Sequence, residues 1–130
     1  MLLFGHRFLA SKTFYHINDI DSIQKTPPSS ALYIEWSEQN LDVIEYATLN
    51  DITFALRVGN ITELIYASSM DAHYIIVDTE LAKDAQNIAN NYLFDAKILV
   101  KIEEEDAIEE MALLGVDGVI FANAIVKVNS

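Results

Sequence analysis

Cysteine is missing from the chain altogether. That excludes a disulfide framework, a thiol nucleophile and thiolate metal ligands. Basic residues are scarce: 8 Lys and Arg stand against 20 Asp and Glu, a formal net charge of −12. Binding to a nucleic-acid backbone is driven by clustered Lys and Arg, so this balance argues against a nucleic-acid partner. Long apolar runs are lacking too. The apolar start at Met1–Gly5 is interrupted by Arg7, whereas a signal peptide carries roughly 7–15 apolar residues after a basic start. No stretch approaches the roughly 20 apolar residues of a membrane helix. The expectation is a cytoplasmic protein with no membrane span. Its 130 residues, 52% hydrophobic, are enough for one α/β domain over 1–130 and its own core. They are too few for an ordinary eightfold (β/α) barrel, which takes roughly 200 residues or more.

What is present is a rhythm. Four apolar segments each carry one charged residue near the end: Leu32-Tyr33-Ile34-Glu35-Trp36, Phe54-Ala55-Leu56-Arg57-Val58, Tyr74-Ile75-Ile76-Val77-Asp78 and Ile98-Leu99-Val100-Lys101-Ile102. The charged positions lie 22, 21 and 23 residues apart. A fifth run, Gly118–Ala122, has no charge. Short, nearly continuous apolar runs rich in Ile, Val and aromatics read as strands buried on both faces of a parallel sheet. Helical signals lie between them. Ser37, Asn60 and Thr79 are candidate caps, Asn60 with Glu63 spells a capping box, and Gly115 fits a helix stop. Glu103 to Asp106 place carboxylates at the positive end of a fourth helix. Near the start, Leu2–Gly5 and Phe14–Ile17 read as further extended segments, with Asn18 capping a short helix. The sum is a set of parallel βα repeats. A reduced or partial TIM-barrel-like sheet is favoured, because the charged residues recur at the carboxyl ends of the strands, where α/β folds bind ligands. A doubly wound, flavodoxin-like sheet is the alternative.

The segment from Ile98 through Gly115-Val116-Asp117-Gly118-Val119-Ile120-Phe121 resembles the end of a glycerophosphodiester phosphodiesterase. The opening Leu3-Phe4-Gly5-His6-Arg7 resembles that family's first strand, which ends in His-Arg-Gly, and Leu32–Trp36 resembles a middle strand. The resemblance implies a phosphodiesterase-superfamily barrel. It implies His6 as an acid/base or phosphate-contacting catalytic residue, Arg7 as a phosphate ligand and Glu35 as a ligand for Ca²⁺ or Mg²⁺. Such chemistry suits these groups: carboxylate for a hard cation, guanidinium for phosphate, imidazole for a proton. The motif is incomplete. Phe8 stands where the family has glycine, Lys101 where it has tryptophan, and the family's Glu-Asn-Thr stretch and early Glu-x-Asp pair are missing.

Three functional readings follow. The incomplete motif favours a non-catalytic domain that self-associates, as a homodimer in which two half-barrels cover each other. A metal-dependent phosphodiesterase using His6, Arg7 and Glu35 is the second. The third is a small-anion or metabolite sensor, in which Arg57, Lys101 and Asp78 at the strand ends hold a phosphorylated or other anionic ligand. At the residue level, Glu35 is expected to pair with Arg57. His73 and Asp71, at the opposite edge, are expected to make stabilising contacts. The Glu103–Glu110 charge run reads as a solvated helix face.

Overall fold

A computed structural model describes residues 1–128. Among the described residues, eight short strands form one parallel sheet: β1 (Leu2–Phe4), β2 (Phe14–His16), β3 (Ala31–Glu35), β4 (Phe54–Arg57), β5 (Tyr74–Val77), β6 (Lys97–Ile102), β7 (Gly118–Phe121) and β8 (Ile125–Lys127). Their order is β1-β7-β6-β5-β4-β3-β2-β8. Five helices accompany them: α1 (Ile20–Ile23), α2 (Leu41–Leu49), α3 (Ile61–Ser69), α4 (Ala82–Asn91) and α5 (Ala107–Leu114). No described helix is long and apolar enough to cross a membrane.

Alternation along the strands sorts the side chains into two cores. Leu32, Ile34, Leu56, Ile75, Val77, Ile98, Val100 and Val119 pack with the buried faces of α2 to α5. The intervening residues form a separate cluster: Phe4, Phe14, Ala31, Tyr33, Ala55, Ile76, Leu99 and Ile120, joined by Ala124 and partly buried Tyr74 and Ile125. No residue of the five α-helices belongs to this second cluster. The helices therefore lie on one face, and the other face curls around its own side chains. This is the reduced barrel-like sheet, and the doubly wound alternative, which needs helices on both faces, is set aside.

The curling brings the ends of the strand order together. Phe4 on β1 and Phe14 on β2 meet edge to face at 5.1 Å between centroids, and both meet Tyr74 on β5, at 5.6 and 5.4 Å. The chain leaves β7 through a single 3₁₀ turn (Ala122–Ala124) and enters β8 beside β2. That turn passes over the end of β1. A Cβ built on Gly5, at φ +82°, would lie 2.8 Å from Asn123 Oδ1 and 3.0 Å from the Ala124 Cβ. Close approach also explains Gly118, where an added Cβ would meet the Leu2 Cβ at 2.6 Å. Alanines and glycine thus make room for four large rings, the size alternation that fills a small barrel. The concave face is filled from within one chain, so pairing of half-barrels is not needed to cover it.

Local signals mostly act where expected. Asn60 Oδ1 accepts from Glu63 N–H at 2.9 Å, while Glu63 reaches back to Gly59 N–H rather than to Asn60. Asp19, not Asn18, caps α1 through Ser22 N–H. Asp78 rather than Thr79 occupies the cap position before α4's leading 3₁₀ turn, and Gly115 ends α5 at φ +77°. Asp117, within the Gly-Val-Asp-Gly stretch, is structural: its carboxylate accepts from Ile98 N–H at 2.9 Å, and its own N–H donates to buried Gln86. His73 Nδ1 accepts from Phe54 N–H at 3.2 Å, the stabilising contact expected of it.

Phe14 is fully buried at the centre of the concave cluster. Phe14→Ala is expected to lower the unfolding free energy by about 3–5 kcal/mol, as for other buried aromatics. Denaturant unfolding with an unchanged slope checks it. A loss near zero would mean that the concave face is not a packed core.

Candidate functional site

The four strand-end charges gather at one mouth of the sheet. Glu35 and Arg57 are register partners on β3 and β4. Asp78 follows β5, and Lys101 lies on β6. All four share the parity of the concave cluster.

Their pairing differs from the expectation. Arg57 is registered with Ile76, which leaves Asp78 two residues further on the same face. The Arg57 guanidinium takes the Asp78 carboxylate at 2.6 Å and the Val58 carbonyl at 2.6 Å. The expected Glu35–Arg57 ion pair is replaced by this one. Glu35 instead accepts the Tyr33 hydroxyl at 3.0 Å, two residues back on the same face. Burial and the neighbouring Glu35 charge push the Tyr33 phenol well above its usual range, so the hydroxyl stays a donor.

Glu35 lines a cavity of about 320 Å³ with His16, Tyr33, Lys101, Ala122, Ile125 and Lys127. Three of its polar residues, His16, Tyr33 and Lys127, were not singled out from the sequence as mouth residues. Tyr33 and His16 continue the inward parity of Ala31 and Phe14, and Lys127 that of Ile125. Period-two phase was the available signal for Tyr33. His16 and Lys127 needed the pairing of β2 with β8, which their three-residue lengths hide. Among the described residues neither Lys101 nor Lys127 has a carboxylate within 4 Å. Burial lowers the His16 imidazole below its ordinary 6.5, leaving it neutral at pH 7. On its other side Lys101 borders an acidic depression lined by Asp78, Glu80, Glu103 and Glu104.

His6 and Arg7 belong to another cluster. Arg7 holds Glu105, in the loop before α5, through Nε and an Nη at 3.1 Å each. His6 Nε2 lies 2.6 Å from the same carboxylate. Hydrogen bonding by Arg7 lowers the Glu105 carboxyl below its usual range, and Glu105 in turn raises the Arg7 guanidinium. Phe8 N–H donates to His6 Nδ1 at 3.2 Å, which leaves Nε2 to carry the proton towards Glu105. Both imidazole nitrogens are engaged, and the ring lies between Phe8 and Phe121. The cavity that Glu35 lines includes neither His6 nor Arg7.

A divalent cation does not fit Glu35. The charged groups sharing its cavity are the ammonium groups of Lys101 and Lys127. Among the described residues no group of three or more His, Asp or Glu is placed to hold a metal ion. Hard cations of this kind take several oxygen ligands. His16, Asp19 and Asp21, residue types that can hold a metal and that lie close in sequence, are separated in role: His16 lines the mouth, Asp19 caps α1 by accepting from Ser22 N–H, and Asp21 lies in the first turn of that helix.

Compared with known protein-family models and with curated proteins, the chain matches none.

The lowered His16 gives a pH dependence of definite sign. The unfolded chain takes up a proton near 6.5 before the folded one does. This contribution to stability is therefore complete above that pH and is lost as pH falls towards the lower folded value. NMR titration is expected to place His16 below 6.5. His16→Gln is expected to flatten the acid limb of the stability profile. A His16 midpoint above 6.5 would contradict this environment.

Proposed function

We propose that the chain is a non-catalytic α/β domain that binds a small organic anion at the carboxyl-end mouth. The observation that carries this reading is a pair of ammonium groups, Lys101 and Lys127, that line one cavity and have no carboxylate within 4 Å among the described residues, in a chain of net charge −12. Ligands of α/β folds bind at this edge. A neutral His16 and the single Glu35 charge leave the cavity with a net positive charge, while the acidic depression beyond Lys101 confines an anion to the Lys127 side. The Glu35 carboxylate has acceptor capacity beyond the Tyr33 hydroxyl, which favours an anion that also carries a hydroxyl or ammonium donor. Arg57, already committed to Asp78 and Val58, is a wall of the mouth rather than the anion contact first expected. The engagement of His6 and Arg7 by Glu105 supports a role in holding the β1–β2 loop rather than in hydrolysis. In this reading any kinship with glycerophosphodiester phosphodiesterases lies in the scaffold.

A thermal-shift panel of hydroxylated phosphates, hydroxy acids and amino acids tests this. One class is expected to raise the melting temperature in a concentration-dependent way. Lys101→Gln and Lys127→Gln are each expected to weaken that ligand about tenfold, equivalent to about 1.4 kcal/mol. Arg57→Gln is expected to change it little. No stabilisation by any anion at millimolar concentration would overturn the reading.

A further inference from the structure

The opposite end of the sheet holds a larger cavity, of about 640 Å³, at the amino ends of the strands. Two of its walls are cationic. Lys12, from the loop between β1 and β2, places Nζ 5.9 Å from the centroid of the Tyr74 ring. Lys97 is the register partner of Tyr74 on β6. Both line the cavity, and among the described residues neither has a carboxylate within 4 Å. Tyr92, at the end of α4, adds a second and largely exposed phenol ring. Asp71 and Asp95 line the same cavity, so its two ammonium groups are matched in number by two carboxylates. Asp71 and Leu93, at φ 64° and 56°, take the left-handed conformation that closes α3 and α4, and the turns they make form part of its wall.

We propose that this amino-end cavity binds a phosphorylated heterocycle of nucleoside monophosphate size. Two ammonium groups match a phosphate dianion. The exposed Tyr92 ring offers stacking surface to a flat heterocycle. Aspartate carboxylates accept from ring amino and imino groups. The volume lies within the range of sites that enclose small ligands. This site uses a different lysine pair from the carboxyl-end mouth, so each stands or falls separately.

Isothermal titration of the whole chain with AMP, adenosine and inorganic phosphate tests the proposal. AMP is expected to bind at least tenfold more tightly than either fragment. Lys12→Gln and Lys97→Gln are each expected to weaken AMP severalfold, and Tyr92→Ala likewise. Lys101→Gln and Lys127→Gln are expected to leave it unchanged. Lys12, Lys97 and Tyr92 are exposed, so these variants should fold, and their melting temperatures check that. The proposal is overturned if AMP binds no better than phosphate, if the Lys12→Gln/Lys97→Gln double variant binds AMP normally, or if no heat is seen at millimolar AMP.

Discussion

Three aromatic rings inside the sheet set the rest of the molecule. Phe4, Phe14 and Tyr74 come from β1, β2 and β5 and meet edge to face. Such contacts combine large apolar burial with a preferred ring geometry. β1 and β2 lie towards opposite ends of the hydrogen-bonded order. Only a curled sheet lets their rings touch. Once it curls, every strand has an inside and an outside, and alternate residues are committed to one or the other. The small residues Ala31, Ala55, Gly118 and Ala124 then follow as the space those rings require.

Charge follows the same division. Four of the six lysines, Lys12, Lys97, Lys101 and Lys127, line a cavity at one or other end of the curled sheet. Lys97 and Lys101 share the inward face of β6, with Leu99 between them. Acidic residues crowd the outer surface instead, notably Glu103 to Asp106 and Glu109-Glu110 around the start of α5. The carboxyl-end mouth is lined by two lysines and one glutamate, whereas the amino-end cavity balances two lysines with two aspartates. A local excess of this kind at one mouth does not show in a net charge.

The repeating strands were legible because each is a continuous apolar run with one charge at a fixed phase. Their recurrence at the carboxyl end of each strand was the signal for Glu35, Arg57, Asp78 and Lys101 as neighbours along one sheet edge. The pairing within that set was not legible, because it depends on the register offset between β4 and β5, and this brings Asp78 rather than Glu35 to Arg57. The short strands were harder. β8 has three residues and follows β7 with only a 3₁₀ turn between, so nothing local shows that it crosses to β2. His6 and Arg7 carry the same lesson. Their motif resembles a catalytic one, but Glu105, 98 residues away from Arg7, decides what they touch.

The curled sheet is tested most directly by through-space NMR contacts between the Phe4 and Phe14 ring protons. With ring centroids 5.1 Å apart, strong cross-peaks between the two rings, and from each to Tyr74, are expected. A folded sample that keeps the β1–β7 and β2–β3 backbone contacts but shows no Phe4–Phe14 cross-peak would mean an open sheet. Neither mouth would then exist as described.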